Sequence, residues 1–319
     1  MYTNIPVISM KDYTSAHPQI RRAFIQKVGE GLEKFGFISI VDHQISDQDI
    51  GKAYLAAKEF FALPTPIKLR YEIPDLAGQR GYTSFQKEHA KSATIGDLKE
   101  FWHIGPLDCD FVKANIWPQE VPNFYDAFKN FYTSLQHCSK VLLEACALYL
   151  GEAPQLFADM VTKGDSILRV IHYPPVPEET HGAIRAAAHE DINFITLLCG
   201  ATQPGLELLS RDNTWVPIPS IPGQIIVDTG DMLQNLTNGI FKSTTHRVVN
   251  PLGENISRYS MPFFVHPRSS VSLAPLPSCV KKRGSRPEYR NFAAGDYLKE
   301  RLGEIGLIGK KSQIDQSMV

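Results

Sequence analysis

From residue 167 to residue 265 the chain repeats one pattern, a short apolar or β-branched run followed by Gly, Pro, Asn or Asp. The runs fall at 167–173, 189–198, 205–209, 214–218, 224–228, 242–249 and 258–265. Pro174-Pro175 and Thr229-Gly230-Asp231 break the series, and Asn238-Gly239 adds a hairpin signal. About eight short strands at even spacing bury one face each most simply as two packed sheets, the double-stranded β-helix or jelly roll.

The flanks read differently. Ile5-Pro6-Val7-Ile8 suits an opening strand, and Pro18 suits the first turn of a helix whose stripe is Ile20, Phe24, Val28 and Leu32, ending at Gly36. Residues 37–41 read as a compact strand, and Ser46 with Asp49 resembles a capping box for a helix reaching about Phe61. Residues 75–120 lack periodicity and read as irregular chain lying over the rest. From Pro122 to Leu150 apolar residues recur at spacings of four and three, from Phe124 and Phe128 to Ala145 and Tyr149. That seam would suit a dimeric coiled coil, but flanking positions carry no charge pattern, so packing on the protein's own core as a monomer is expected. A last helix is expected within 296–302 and a frayed tail after Gly309. The expected fold is mainly β with flanking helices. It divides into a mixed amino-terminal region (1–120), a supporting helix (121–164), the jelly-roll core (165–268) and a carboxy-terminal extension (269–319).

Composition narrows the function. The 319 residues are 43% hydrophobic and 21% charged, with a net charge of -1. That balance favours neither nucleic acid nor an anionic membrane as a partner. No run approaches a membrane span, and the opening Met1-Tyr2-Thr3-Asn4 lacks a secretory pattern. Cys109, Cys138, Cys146, Cys199 and Cys279 form no CxxC pair, which argues for reduced thiols in a cytoplasmic setting. Gly309-Lys310-Lys311-Ser312 lacks the upstream glycine of a phosphate loop.

Two sets of residues carry chemistry. His189 and Asp191 stand two apart, so an extended strand would send both to one face. With His246 they make two imidazoles and one carboxylate, the donor set of a non-haem Fe(II) centre with open positions. Arg258 and Ser260 also share a face, offering a carboxylate a guanidinium fork and a hydroxyl. A catalytic zinc uses similar donors, but Asn193 stands where HExxH needs its second histidine, and the segment reads as strand rather than helix. A metal or ligand sensor without catalysis stays open on these residues.

The sequence resembles the isopenicillin N synthase-like branch of the Fe(II)/2-oxoglutarate-dependent dioxygenases. The motifs are His189-x-Asp191, Asn238-Gly239 with Ser243 and His246-Arg247-Val248, and Arg258-x-Ser260. The resemblance implies that His189, Asp191 and His246 bind Fe(II), and that Arg258 and Ser260 hold the distal carboxylate of 2-oxoglutarate. Tyr173 matches the second tyrosine of the family's Asn-Tyr-Tyr-Pro pattern, although Ile171 and His172 replace its first two residues. The implied activity is O2-dependent oxidation, by default hydroxylation, of a small organic molecule with release of succinate and CO2. An oxidase that draws all its electrons from substrate keeps the same motifs and is the alternative. Tyr82, Phe85, Phe101, Trp102 and Phe264 are the expected substrate-lining residues, with Arg80, Lys87 and Arg185 available to an anion.

Overall fold

The computed structural model describes residues 5–91, 95–107, 112–284 and 286–308. Met1 to Asn4, Cys109 and the 309–312 stretch lie outside the described residues. The strands are β1 (Val7–Ser9), β2 (Phe37–Val41), β3 (Gly81–Thr83), β4 (Glu100–Ile104), β5 (Ile167–Tyr173) and β6 (Ala186–His189). They continue as β7 (Ile195–Cys199), β8 (Leu206–Leu209), β9 (Trp215–Pro217), β10 (Ile225–Thr229), β11 (His246–Val248) and β12 (Arg258–Val265). The larger sheet has the order β1-β2-β10-β7-β12-β5-β4-β3, and the smaller one β6-β11-β8-β9. The helices are α1 (Pro18–Phe35), α2 (Asp47–Phe61), α3 (Thr65–Lys68), α4 (Phe124–Leu150), α5 (Leu156–Val161), α6 (Asp231–Leu236), α7 (Pro277–Lys282) and α8 (Ala294–Glu304). Among the described residues no helix is long and apolar enough to cross a membrane.

The larger sheet is apolar on both faces because helices cover one and the smaller sheet the other. On β10, Ile225 and Val227 join the cluster beneath the helices, while Ile226 joins the cluster between the sheets. Helix α4 forms where the four-and-three spacing runs unbroken, and Gly151 ends it in the left-handed region at φ 81°. Its Phe128, Phe131, Leu135 and Leu142 are fully buried, and each such burial stabilises the fold by about 1.5–3 kcal/mol. Leu135→Ala would cost about 2–5 kcal/mol. Helix α1 ends at Gly36, with φ 69°. A Cβ there would fall 2.5 Å from the Lys242 carbonyl. That close approach lays β2 beside the segment leading to His246 and turns the Phe37 ring edge-on to its imidazole at 5.7 Å.

Three local expectations change. The run 189–198 is not one strand: β6 stops at His189, and a bend precedes β7. Asn238-Gly239 does not join a hairpin. Both residues have positive φ, 50° and 74°, and they turn the chain after α6. Residues 75–120 contain β3 and β4, which extend the larger sheet beyond β5.

Candidate metal centre and its two cavities

His189 closes β6, His246 opens β11, and the two are register partners. Cross-strand partners project side by side, and their ring centroids lie 4.4 Å apart. Asp191 arrives by the bend, not by strand alternation. The bend is pinned to the start of α6, where Asp231 N donates to Asp191 O (2.7 Å) and Gly230 N to Phe194 O (2.9 Å). A Cβ on Gly230 would fall 2.3 Å from the Asn193 carbonyl, so the contact requires glycine. Asp191 Oδ1 then stands 3.8 Å from both His189 Nε2 and His246 Nε2.

The outer atoms of all three side chains are held. His189 Nδ1 is 2.7 Å from Ala187 O, and His246 Nδ1 is 3.2 Å from Thr244 O. With Nδ1–H donating, each Nε2 turns a lone pair to the centre. Thr196 Oγ1 donates to Asp191 Oδ2 and accepts from Asn193 Nδ2 at 3.0 Å, which leaves Oδ1 free. Burial, then His246, pushes His189 down to about 4, so it is neutral at pH 7. Burial, then the Asp191 charge, holds the neighbouring Asp228 well above the usual carboxylate range. The three donor atoms lie within 4.8 Å of one another. They fit one ion, and two imidazoles with a single carboxylate suit Fe(II) with coordination positions left for other ligands.

An inner cavity of about 60 Å³ reaches from this centre to Arg258, Ser260 and Tyr173. Arg258 faces Tyr173 across the β12–β5 ladder, its guanidinium 4.9 Å from the ring centroid. Its Nε donates to Gln203 O (3.0 Å) and its Nη1 to Ser260 Oγ (3.2 Å). Arg185 is also buried. Its Nη2 donates to Ile256 O at 2.6 Å, and among the described residues its Nε has no partner. Burial, then Arg258, lowers the pKa of Arg185. Among the described residues neither guanidinium has a carboxylate in ion-pair contact.

An outer cavity of about 100 Å³ opens on the other side and shares His189, Asp191, Lys99, Arg169 and Phe264 with the inner one. Arg169 grips Glu88 with two hydrogen bonds (2.7 and 2.9 Å), and its Nε meets His103 Nε2 at 2.6 Å. Lys99 Nζ adds contacts to Glu88 (2.8 Å) and Asp97 (2.6 Å). Burial alone would raise Glu88, but the Arg169 and Lys99 charges outweigh it and hold the carboxyl well below its usual range. Burial opposes the charge on Lys99 too, yet Glu88 and Asp97 raise its pKa. Burial pushes His103 well below, and His266 to about 4, so both imidazoles are neutral. The far wall belongs to α8, through Leu298, Arg301 and Leu302.

The structure therefore brings together His189, Asp191 and His246, sets Arg258, Ser260 and Tyr173 in one cavity, and sends Phe264 to both. Phe101 is buried between the sheets, and the Arg169 guanidinium lies 4.1 Å from its ring centroid. Phe85, half-buried, lines neither cavity. Tyr82 and Trp102 do not meet the expectation of a substrate wall, because alternation along β3 and β4 turns them to the helical side. There Tyr82 donates to Glu100, and Trp102 packs on Phe60 and Phe124. Arg80 is paired with Asp165 and Lys87 with Glu72, so neither is free for an anion. Glu88, Lys99, His103 and Arg169 are the site residues that the motifs did not reveal. Arg169 had a signal, since it lies four residues before Tyr173 in one strand and so shares its face.

Comparison with known proteins accords with this geometry. The 2OG-Fe(II) oxygenase superfamily model matches residues 164–267, and the model for the amino-terminal region of non-haem dioxygenases in morphine synthesis matches residues 5–120. Proline hydroxylase buaE of Petromyces alliaceus is 32% identical over 308 residues, 91% of this chain and 96% of its own. Among solved structures, a Caulobacter crescentus protein described as of the 2OG-Fe(II) oxygenase family superposes with a TM-score of 0.83 at 39% identity. That match covers 96% of this chain and 100% of the other. A Neurospora crassa protein crystallised in complex with alpha-KG and thymine superposes with a TM-score of 0.84 at 26% identity, covering 94% and 96%. With its iron-type donor set, jelly-roll core and near full-length relatives, the chain belongs to the 2OG-Fe(II) oxygenase superfamily and is a non-haem iron dioxygenase that uses 2-oxoglutarate and O2.

Proposed function

We propose that His189, Asp191 and His246 hold the Fe(II), that Arg258, Ser260 and Tyr173 seat the distal carboxylate of 2-oxoglutarate, and that the outer cavity takes a small molecule for hydroxylation. The observation that carries this reading is the buried Arg258 guanidinium, which has no acid of its own among the described residues and lies in the cavity that opens on the His-Asp-His face. A buried cation in want of a partner favours a dicarboxylate there, and each charge-assisted hydrogen bond contributes about 1.5–3 kcal/mol. When bound, iron supplies the redox centre that couples oxidative decarboxylation of 2-oxoglutarate by O2 to oxidation of a substrate C–H bond.

The chain's own groups position the reactants. Ala187 O and Thr244 O fix the tautomers of the two histidines, and Thr196 keeps Asp191 Oδ1 turned to the centre. Phe37, Leu198, Leu206 and Val248 wall the inner cavity with apolar surface. That surface excludes water and strengthens the Arg258 contact by lowering the local dielectric. The Arg258-x-Ser260 pair and the amino-terminal match support the isopenicillin N synthase-like branch. Buried free thiols at Cys138, Cys146, Cys199 and Cys279 support a reducing, cytoplasmic setting. The name of buaE as a proline hydroxylase and the thymine bound to the Neurospora crassa protein support a small organic substrate.

The test is anaerobic addition of Fe(II) and 2-oxoglutarate. A visible metal-to-ligand charge-transfer band, lost in Arg258→Met at the same cosubstrate concentration, is the expected result. Its absence from iron-loaded wild type would remove 2-oxoglutarate from the inner cavity. Oxygen consumption without succinate would show a substrate-driven oxidase instead.

A further inference from the structure

The outer cavity has a mixed lining. Glu88, Lys99, His103 and Arg169 give it polar groups, while Leu302 and Phe264, whose ring centroid lies 5.2 Å from the Arg169 guanidinium, give it apolar surface. Each cation of the lining is already paired with acid. Lys99 has Glu88 and Asp97, and Arg169 has Glu88. Arg301 has Glu304 at 2.9 Å and Asp231 at 3.6 Å, and Lys91 has Glu304 at 2.8 Å. An anionic substrate would have to break one of these pairs and strand a carboxylate, for the most part a buried one, which is strongly unfavourable. Apart from Asp191 at the metal centre, Glu190 is the lining carboxylate without a cation among the described residues, but it is half-exposed and already accepts from Thr245 Oγ1, so nothing demands a cationic ligand either.

What the lining lacks is hydrogen bonds. His266 Nδ1 and Arg301 Nε are buried polar atoms without a partner among the described residues, and both residues line this cavity. Such atoms are rare in native folds and costly when left unmade. A ligand presenting both an acceptor and a donor accounts for them. Size sets the other limit. The cavity holds about 100 Å³, below the ~150 Å³ of an engineered site that takes one benzene, so a single ring fits by extending into the open rim and anything larger is excluded.

We infer that the prime substrate is an electrically neutral, single-ring molecule that carries both hydrogen-bonding groups and hydrocarbon, of the cyclic amide or pyrimidinone class. The inference rests on the inner cavity being the seat of 2-oxoglutarate, which leaves the outer one to the substrate. His103, whose Nε2 meets Arg169 Nε at 2.6 Å, is then a positioning residue that holds the Arg169 fork at the polar lining.

The test uses the full chain loaded anaerobically with Fe(II) and 2-oxoglutarate, titrated calorimetrically with four ring-sized probes. Thymine and 2-piperidone are neutral, orotate is anionic and piperidine is cationic at pH 7. The expected result is that at least one neutral probe binds ten times more tightly than either charged one. A charged probe binding as well as the neutral ones, or no neutral probe binding at millimolar concentration, overturns the inference. His103→Phe should weaken the neutral probe about tenfold with the 2-oxoglutarate affinity unchanged, and His103→Gln, which keeps a donor and an acceptor, should restore most of it. Unchanged probe affinity in a folded His103→Phe would likewise overturn it. Wild type that binds no 2-oxoglutarate would overturn instead the cavity assignment beneath it.

Discussion

Arg258 in the inner cavity and Arg185 outside its lining meet carbonyls, a hydroxyl and an aromatic ring, whereas in the outer cavity Arg169 and Lys99 meet Glu88 and Asp97. Arg258, Arg185 and Lys99 are buried and Arg169 is largely so, yet among the described residues one pair has acids and the other has none. A cation without an acid is a standing demand for an anion from outside, while a satisfied network repels any ligand that brings net charge. The difference teaches that two reactants can be sorted by charge before shape is consulted. Variants that touch one cavity and spare the other are the way to break that contrast.

The largest effect falls on the centre that both cavities share. His246→Ala should reduce succinate release at least ~10³-fold, because one of three donors is lost and the remaining two cannot fix the ion's geometry. Its circular dichroism should stay near wild type, since His246 lies at the end of a short strand of the smaller sheet. Retained turnover would detach His246 from the chemistry.

Arg169→Met comes next and acts on stability. It leaves Glu88 buried with Lys99 alone, and breaking one side of a buried pair costs about 3–5 kcal/mol. Urea unfolding should show that loss, and Arg169→Met with Glu88→Met should recover most of it. Arg258→Met should behave oppositely, with stability near wild type because no acid is stranded. Its 2-oxoglutarate affinity should fall roughly ten- to a hundredfold, the loss of one or two charge-assisted hydrogen bonds. Equal stability losses in the two variants would erase the contrast.

Much of this was legible in the sequence, though not always for the right reason. Alternation from 167 to 265 marked the sheets, and the residue types of His189, Asp191 and His246 marked the ion. Alternation did not explain how Asp191 arrives, because β6 ends at His189 and the bend is fixed by contacts with Gly230 and Asp231, about forty residues on. Asn238-Gly239 read as a hairpin because that dipeptide suits any turn with two positive φ angles, including one that follows a helix. Glu88 and Lys99 lie where the chain has no period, and only their tertiary partner, Arg169, gives them a role. Arg169 itself was within reach, one face with Tyr173 on β5. The α8 wall depended on where the last helix docks, which no local pattern states.

The paired cavity also predicts a pH signature. Glu88 is depressed in the folded state, so its ionised form contributes stability above the unfolded carboxyl value of about 4.3. That contribution is lost as pH falls through the folded value. Lys99 is raised, so its contribution is whole below the unfolded lysine value of about 10.4 and fades as pH climbs through the folded one. Melting temperatures should be flat across neutrality and fall below about pH 4. In Glu88→Gln the gap to wild type should narrow between pH 5 and pH 3. A constant gap would mean that Glu88 acts by packing alone.

The smallest effect sharpens the unpaired side. Arg185 is not among the residues lining the inner cavity, so its influence on 2-oxoglutarate is by field rather than by contact. Buried charges are weakly screened, and removing one in Arg185→Met should weaken cosubstrate binding only about three- to tenfold, ~1 kcal/mol. Substrate-cavity probes should be unaffected, because the Glu88–Asp97–Lys99–Arg169 network, two acids and two cations, stays neutral with or without Arg185. Calorimetry at low and high salt separates the two causes. A field effect persists at both, since the pair is buried, whereas an affinity unchanged from wild type would assign Arg185 to its Ile256 carbonyl alone and leave Arg258 as the single demand for an anion.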